Sequence, residues 1–365
     1  MGREQTATAI GPVRAGSPRA AVILLVHADY AQRYLERCYA SLQRQTAARD
    51  QFGVFIVANG VSPESLAFIA RVAPAARCLT QPTNRGWSGG NNAAITRALE
   101  EGYAYLVLLN VDTMVEPDWL AQLLEAAATR PEVHILQSTL LLDGTGRINS
   151  LGNRIQYLGY GYCNGYGQLD RGPARAAPID YASGAAMLVK REVFERIGML
   201  REEYVLYYDD MEFCWRARLA GFHIGLAERS RCHHAYVFTA RLPWLYYLQR
   251  NRLWTLLSLT RLRTLLLLAP CLVLSELIVW GYFLAQGWGS TVWRLARDFG
   301  RPSTWRLIRR WRGQIRAVRV RRDADIVTGF AGPIVFAEID LPFLRHVANP
   351  LLCLYWAIIR RLICW

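Results

Sequence analysis

The sequence is almost without lysine. Of its 43 basic residues only Lys190 is a lysine, and the rest are arginines. Against 29 acidic residues this leaves a formal net charge of +14, which predicts an anionic partner. The preference for arginine is typical of GC-rich, bacterial coding sequences.

Paired cysteines and a signal-peptide pattern are also missing. The eight cysteines include no Cys-x-x-Cys pair and show no regular spacing, which argues against a disulfide framework and favours free thiols in a reducing cytosol. Residues 1–18 contain no apolar core of signal-peptide length, so we expect them to form a flexible N-terminal arm.

Apolar runs of strand length alternate with helical patterns in the first part of the chain. Strands are predicted at 21–26, 52–57, 77–80, 105–109 and 133–142, and helices at 30–42, 63–72, 93–99 and 116–129. This alternation predicts the α/β class, with a mostly parallel, doubly wound sheet flanked by helices.

The stretch 84–113 holds the strongest candidate for a site. Its first part is predicted as a loop, in which glycines allow close approach of the backbone to a ligand and asparagines offer donors and acceptors. The candidate ligand-binding residues of this loop are Asn84, Gly86, Gly89, Gly90, Asn91 and Asn92.

Asn110 and Asp112 follow the predicted strand 105–109, at the carboxyl end where open α/β sheets bind ligands. A carboxylate beside a phosphate-binding loop suits a divalent metal that bridges a diphosphate. The residues alone leave a second interpretation open, in which Asp112 is the N-cap of an ordinary strand-to-helix turn.

The segments NRGWSGGNN and LLNVDT resemble the motifs N-x-G-F-A-G-G-N-N and L-L-L-N-P-D-T of the family 2 glycosyltransferases, in particular their rhamnosyltransferase-like branch. The resemblance implies a nucleotide-sugar fold of the GT-A type. It places Asp112 at the last position of the metal-binding DXD motif and implies Mg²⁺ or Mn²⁺ as the cofactor.

One departure from the family concerns the nucleotide base. Where the family reads V-D-N at the end of the second strand, this chain has Ala58 followed by Asn59, so the usual acceptor for the base is missing. His27 or Asp29, at the end of the first strand, could contact the base or ribose together with Asn59. His27 could equally be a polar residue that closes a strand.

A second motif, in residues 183–216, resembles the family pattern along almost its whole length. By that match Gly184 and Ala185 form a wall of the sugar and acceptor site, and Asp209 and Asp210 occupy the family's acidic pair. The second member of the pair, Asp210, is the implied general base of an inverting transfer.

The same region contains an expected ion pair and one departure from the family pattern. Glu212 and Arg216, four residues apart on a predicted helix, are expected to form a structural ion pair. Arg201 replaces an Asp of the family pattern.

Cys232-His233-His234 ends the predicted catalytic region. Zinc is disfavoured, because adjacent residues cannot all turn toward one ion. The resemblance implies that His234, with Thr239, completes the metal site or contacts the diphosphate, and that His233 is the alternative. Arg250 and Asn251, which are further candidate substrate-binding residues, end a Y-Y-x-x-R-N motif that resembles the end of the family's conserved region and is predicted to form a helix beside the active site.

The Gly-, Tyr- and Asn-rich segment 143–178 predicts a mobile loop whose aromatic faces suit sugar rings. A plain irregular connection is the alternative for this segment.

The C-terminal region has a membrane-like pattern. Residues 265–286 are largely apolar, with Glu276 as their only charge, and are long enough to span a bilayer, although Pro270 and the charge leave a re-entrant or interfacial hairpin open. Residues 294–322 contain eleven arginines interleaved with tryptophans. This pattern favours an anionic membrane surface over nucleic acid as the partner.

Together these features predict a flexible arm (1–18), a GT-A domain (19–240) and a helical, Arg-rich membrane-associated region (241–365). The expected function is a metal-dependent inverting glycosyltransferase on the cytoplasmic face of a bacterial inner membrane. It would move a sugar, first of all rhamnose from dTDP-rhamnose, to a lipid-linked saccharide in cell-envelope polysaccharide synthesis. The alternative is a membrane-tethered nucleotide-sugar binding or scaffold protein. The oligomeric state stays open.

Overall fold

The computed structural model describes residues 19–173, 178–236, 242–335 and 342–365. The predicted N-terminal arm and Thr239 lie outside these ranges. The strands are β1 (Ala20–Val26), β2 (Phe52–Asn59), β3 (Arg77–Gln81), β4 (Tyr105–Asn110), β5 (Thr113–Val115), β6 (Val133–Leu142), β7 (Arg147–Ser150), β8 (Asn153–Ile155), β9 (Gly161–Cys163), β10 (Ala186–Lys190) and β11 (His223–His234).

The helices are α1 (Glu36–Gln43), α2 (Pro63–Val72), α3 (Gly86–Glu100), α4 (Trp119–Thr129), α5 (Arg191–Ile197), α6 (Asp209–Leu219), α7 (Leu242–Leu259), α8 (Leu262–Ala285), α9 (Gly289–Gly300), α10 (Pro302–Val318), α11 (Asp323–Ile326) and α12 (Asn349–Ile359). A π-helical turn, Ala31–Leu35, precedes α1. As the sequence predicted, α2 begins at Pro63, and Ser62 accepts a hydrogen bond from the backbone N–H of Ser65.

Nine strands form one sheet in the order β3-β2-β1-β4-β10-β6-β11-β5, with β7 paired to β6. The first four strands of this order are parallel, and β11 is parallel to β6. The predicted α/β class is confirmed, because the apolar runs form strands that are buried between helices. The sheet is mixed, since β10, which the sequence pattern did not predict, runs antiparallel between β4 and β6.

Most of the predicted Gly- and Asn-rich loop is the beginning of α3. Only Gly86 has a positive φ, of 71°. Gly89 and Gly90 are helical, and a Cβ atom on Gly90 would lie 2.3 Å from Cδ1 of Leu25 in β1. The loop prediction was therefore wrong for these residues. The glycine at position 90 serves the close packing of a helix on the sheet and not the conformational freedom of a loop.

The segment predicted as a mobile aromatic loop carries β7, β8 and β9 and contributes to the core. Tyr157 and Leu158 are fully buried, and Tyr157 stacks on Trp356 of α12 with 4.6 Å between ring centroids. The mobile-loop prediction was wrong here. The helix that buries these side chains lies far along the chain, so the local sequence gives no sign of their burial.

The helices after residue 241 share a core with the first part of the chain. Trp215 and Leu219 of α6 belong to the same buried cluster as Leu268 of α8 and Trp356 of α12. The change in composition near residue 240 does not separate two independent cores.

Within the described part of the chain, α8 is the one helix long and apolar enough to cross a membrane. It continues through Pro270 without a break. Its acid, Glu276, forms an ion pair with Arg252 of α7, so this charge lies on the face that packs against the protein. Leu266 and Leu277 are about two-thirds exposed (66% and 65%).

Candidate active site

The predicted site residues converge at one edge of the sheet. This edge contains the carboxyl ends of the parallel strands β1 and β4, together with the start of the antiparallel strand β10. The end of β11 and the first turns of α3 and α6 reach the same edge through the contacts described below. Ligands of open α/β sheets bind at this edge.

Asp112 and His234 face each other. The pairing of β11 with β5 sets His234 opposite Thr113, and the N–H of Ala235 donates to the carbonyl of Asp112 at 2.9 Å. As a result, Nε2 of His234 lies 3.5 Å from Oδ1 of Asp112.

A third residue orients this imidazole. Nδ1 of His234 lies 3.0 Å from Oδ1 of Asn149 in β7. An amide oxygen accepts, so Nδ1 is the ring nitrogen that donates to Asn149, and Nε2 is the one that faces Asp112. Two electron-pair donors that face each other suit a shared cation. Asn149 gave no signal in the sequence, since the pairing of β7 with β6 brings it to the site.

The donor set fits an open metal site. Within residues 19–173, 178–236, 242–335 and 342–365, no group of three or more His, Cys, Asp or Glu side chains could hold a metal ion. A carboxylate and an imidazole leave positions free for phosphate oxygens, as Mg²⁺ sites that bind substrate phosphates require. His233 is not part of this pair: its Nε2 lies 2.9 Å from Oε1 of Glu116, because adjacent side chains of a strand point to opposite faces.

Asp209 and Asp210 begin α6 and contact both neighbouring elements. The hydroxyl of Ser88 in α3 donates to Oδ2 of Asp209 at 3.3 Å. The N–H of Gly184, just before β10, donates to Oδ2 of Asp210 at 3.1 Å. The two carboxylates are thus fixed between the start of α3 and the start of β10.

The environment separates the roles of the two carboxyl groups. Burial and the neighbouring charge of Asp210 raise the pKa of Asp209 well above the usual carboxyl range. Burial also raises the pKa of Asp210, while the N–H groups of Gly184 and Met211 oppose this shift. The two N–H groups stabilise Asp210 in its ionised form, which makes it the better candidate of the pair for a proton acceptor.

Trp87 connects the acidic pair to the end of β4. Its Nε1–H donates to Oδ1 of Asn110 at 3.2 Å, and a Cβ atom on Gly184 would lie 2.5 Å from its ring. The N–H of Asn110 donates to the carbonyl of Ala185 at 2.9 Å. Trp87 and Ser88 were not among the predicted site residues, although the family motif has an aromatic residue at the position of Trp87.

His27 faces the site, whereas Asp29 does not contact it. The ring of His27 stacks on Tyr30 at 4.4 Å. Burial lowers the pKa of His27, against the opposing charges of Asp112 and Asp29. Asp29 forms an exposed ion pair with Arg33 at 3.6 Å. His27 and Tyr30 are thus the groups at the end of β1 that a nucleotide could contact.

The asparagines predicted as ligand contacts make internal hydrogen bonds. Asn59 donates to Oδ1 of Asn84 at 3.0 Å and to the carbonyl of Gly86 at 3.1 Å. Asn91 donates to the carbonyl of Trp87, and Asn92 donates to the carbonyl of Leu200. Oδ1 of Asn59 and Oδ1 of Asn84 also accept from the N–H groups of Arg85 and Gly86 at 2.9 and 2.8 Å. These amides fix the start of α3, because the first N–H groups of a helix have no partner within the helix.

The turn before α6 is strained. Val205, Tyr207 and Tyr208 have φ values of 65°, 65° and 67°. A non-glycine residue in this left-handed region costs about 1–3 kcal/mol, and a β-branched valine is especially unfavourable there. The strain lies directly before Asp209.

Arg250 and Asn251 hold this strained turn. Nδ2 of Asn251 lies 3.0, 2.8 and 2.9 Å from the carbonyl oxygens of Tyr204, Leu206 and Tyr207. Arg250 donates to the carbonyls of Glu203 and Tyr204. Both residues were predicted to bind substrate, but in the structure they hold the turn that carries the acidic pair.

The ion pair of Glu212 with Arg216 is confirmed, with 3.0 Å between Oε1 and Nε. Arg201 joins it, 3.1 Å from Oε1 of Glu212, and its guanidinium lies 4.3 Å from the ring of Trp311 in α10. Trp311 also stacks on Tyr204. Arg201, which departs from the family pattern, therefore joins α10 to the turn before the acidic pair.

Replacing Val205 tests the strain. Val205→Gly should raise the free energy of unfolding by about 1 kcal/mol, because relief of about 1–3 kcal/mol of strain exceeds the entropy cost of glycine. Urea unfolding measures the change. Val320→Gly is the control, since Val320 is also exposed but does not have a positive φ. A loss of stability in Val205→Gly as large as in the control would contradict the assignment of strain.

Comparison with known proteins gives a family match. Residues 22–198 match the model described as Glycosyl transferase family 2. The low-salt glycan biosynthesis hexosyltransferase Agl10 of Haloferax volcanii is 30% identical over 149 residues, which are 40% of this chain and 47% of that protein. The match thus spans about half the length of that relative.

Two solved structures share the fold. The mannosyltransferase PcManGT from Pyrobaculum calidifontis, in complex with GDP-Man and Mn²⁺, has a TM-score of 0.50 at 16% identity, over 86% of this chain and 90% of that one. GalNAc-T7 with UDP, GalNAc and Mn²⁺ has a TM-score of 0.52 at 12% identity, over 67% and 48% of the two chains. The sheet and its flanking helices therefore have a GT-A-like arrangement.

Proposed function

We propose that this protein, whose residues 22–198 match the Glycosyl transferase family 2 model, is a metal-dependent, inverting glycosyltransferase. It uses a nucleoside diphosphate sugar as donor and a lipid-linked saccharide as acceptor. The observation that carries the proposal is the set of contacts that connects Asp210 to the strand end before Asp112. Asp210 accepts from the N–H of Gly184, Trp87 packs against Gly184, and Trp87 donates to Asn110 at the end of β4.

Asp210 acts as the general base. Its carboxylate takes the proton from the acceptor hydroxyl while the hydroxyl oxygen forms a bond to the anomeric carbon. The bond from that carbon to the diphosphate oxygen breaks on the opposite face, and its electron pair leaves with the diphosphate. Attack opposite the leaving group inverts the configuration at the anomeric carbon.

The other side chains of the site hold the substrates. A Mg²⁺ or Mn²⁺ ion held by Asp112 and His234 would supply positive charge for the departing diphosphate. Trp87 and Gly184 form a rigid wall between the two ends of the site, and His27 and Tyr30 offer ring faces to the nucleotide. Because the hydrogen bonds of Asn149, Ser88 and Asn251 fix the surrounding groups, the site needs little rearrangement during reaction.

The donor is proposed as dTDP-rhamnose, on the resemblance of the motifs to the rhamnosyltransferase-like branch. The hexosyltransferase relative acts in glycan biosynthesis by its name, which supports a role in surface polysaccharide synthesis. The structures of similar fold hold GDP-Man or UDP, so nucleotide choice is not fixed by the fold and is left to side chains such as His27.

The location is proposed as the inner face of a bacterial membrane, with α8 in the plane of the interface. Thr264, Leu268 and Phe283 of α8 are buried and Glu276 is paired, so α8 packs along the protein over nearly its whole length. The opposite face is apolar and exposed, as is that of α12, including Leu351 and Leu354. An apolar face beside arginine-rich helices is the pattern of interfacial binding.

Nucleotide release by the full chain tests the enzyme. With Mg²⁺ or Mn²⁺ and a panel of nucleotide sugars, we expect release of nucleoside diphosphate, fastest from dTDP-rhamnose. The same donor should raise the melting temperature most, since ligand at about 100 times its Kd stabilises by about 2.7 kcal/mol. Stabilisation without any release would instead support the scaffold alternative, which the missing base acceptor at Ala58 favours.

A further inference from the structure

A basic cleft lies away from the candidate active site. It encloses about 680 Å³ between the corner that joins α7 to α8 and the C-terminal half of α10, a volume typical of ligand sites. Six arginines line it: Arg261, Arg263, Arg309, Arg312, Arg316 and Arg319. None of its lining residues belongs to the site of Asp112 and Asp210.

The positive charge of this cleft is largely uncompensated. Arg319 forms an ion pair with the buried carboxylate of Asp323 at 2.6 Å. Within the described residues, the side chains of Arg261, Arg309 and Arg316 make no ion pair or hydrogen bond. Like charges in a partly enclosed space repel, so an anion that entered the cleft would relieve a cost already present in the protein.

The backbone of α10 fixes the spacing of four of these arginines. Arg309, Arg312, Arg316 and Arg319 follow one another at spacings of three or four residues and therefore share one face of α10. Ile308 and Trp311, on the adjoining face of the helix, are buried. Arg312 also donates to the carbonyl of Thr260 at 2.7 Å, and burial together with the charge of Arg319 lowers its pKa.

The cleft borders the exposed apolar surface. Leu262 lines it and is 63% exposed at the start of α8. The Nε1–H of Trp365 donates to Oγ1 of Thr264 at 2.9 Å, which brings the end of the chain, with exposed Leu362 and Ile358, to the same place. Guanidinium groups and apolar side chains thus meet at one boundary.

We propose that this cleft binds the phosphate group of a membrane lipid, whose acyl chains lie against the exposed apolar side chains of α8 and α12. Guanidinium groups form paired hydrogen bonds to phosphate oxygens, and only a ligand with both a phosphate and a hydrocarbon part matches the two surfaces together. The proposal rests on the proposed membrane association but does not depend on the transfer reaction.

Vesicle binding of the full chain tests the cleft. The cleft variant is Arg309→Gln with Arg316→Gln. The matched control is Arg297→Gln with Arg306→Gln, which removes the same charge from exposed positions of α9 and α10 outside the cleft. Binding is measured to phosphatidylcholine vesicles with and without phosphatidylglycerol, over a salt series, and urea unfolding confirms that both variants are folded.

We expect the cleft variant to lose at least about tenfold more affinity for phosphatidylglycerol vesicles than the control. Diffuse electrostatic attraction would fall equally in the two variants, since each loses two positive charges, so the excess loss measures binding in the cleft. The difference should persist in salt that screens the control effect. Equal losses in the two variants would overturn the cleft proposal and leave membrane association intact. If the wild-type chain binds no vesicle, the membrane proposal fails with it, while nucleotide release still tests the enzyme separately.

Soluble ligands form the second arm of the test. Inorganic pyrophosphate should stabilise the wild-type protein little at concentrations where phosphatidylglycerol vesicles are saturating. If pyrophosphate raises the melting temperature of the wild type but not of the cleft variant, and both bind vesicles alike, the ligand is a soluble phosphate compound and the lipid proposal is wrong. If the cleft variant loses binding to duplex DNA but keeps its binding to vesicles, the lipid proposal is likewise overturned.

Discussion

Asp112→Asn should reduce turnover by at least about 100-fold and leave the fold intact. The side chain keeps its shape but loses the charge that faces Nε2 of His234 at 3.5 Å. Metal-ion stabilisation of a leaving group supplies several kcal/mol, and each 1.4 kcal/mol corresponds to about tenfold in rate. Steady-state nucleotide release with a metal titration measures the effect.

Two further measurements separate metal binding from general damage. The variant should lose the part of the nucleotide-sugar thermal shift that depends on Mg²⁺ or Mn²⁺, while its melting temperature without ligand stays the same. Asp118→Asn, an identical change at an exposed position nearby in the chain, should be neutral. Retention of half the wild-type rate by Asp112→Asn would rule out the assignment of Asp112 to the metal.

Asp210→Asn should abolish transfer while donor binding persists. General base catalysis contributes about 100- to 10,000-fold, and the proton that Asp210 accepts belongs to the acceptor and not to the diphosphate. We therefore expect kcat for transfer to fall by that factor and the donor Kd to change little. Transfer kinetics and isothermal titration with the donor measure the two quantities.

Asp209→Asn is the matched comparison. Because burial and the charge of Asp210 raise the pKa of Asp209 and favour its neutral form, the neutral amide of Asp209→Asn should retain much more transfer activity than Asp210→Asn. Loss of donor affinity in Asp210→Asn equal to its loss of rate would instead point to a structural or metal role, and Asp209 would become the better candidate for the base.

The same pair predicts the acid limb of the pH profile. The base accepts a proton only when it is ionised, so transfer should fall as the pH drops through the pKa of Asp210. Burial raises this pKa, and the limb should therefore lie above the value of about 3.9 for an exposed aspartate. A profile of kcat/KM against pH locates the limb.

The sequence by itself determined the fold class. Short apolar runs such as 21–26 favour buried strands, and their alternation with helical patterns determined the α/β class. Asp112 and Asp210 were predicted because the segments around them resemble motifs of the family 2 glycosyltransferases.

Only the tertiary structure decided which side chains share a site. The register of β11 on β5 brings His234, and not His233, to Asp112, because alternation along a strand is fixed only when its partner is known. Asn251 resembled a ligand contact, but it holds a strained turn of another element. Asn149 lies in a segment with no periodic signal. Hydrogen bonds between residues far apart in sequence depend on packing, which local patterns do not encode.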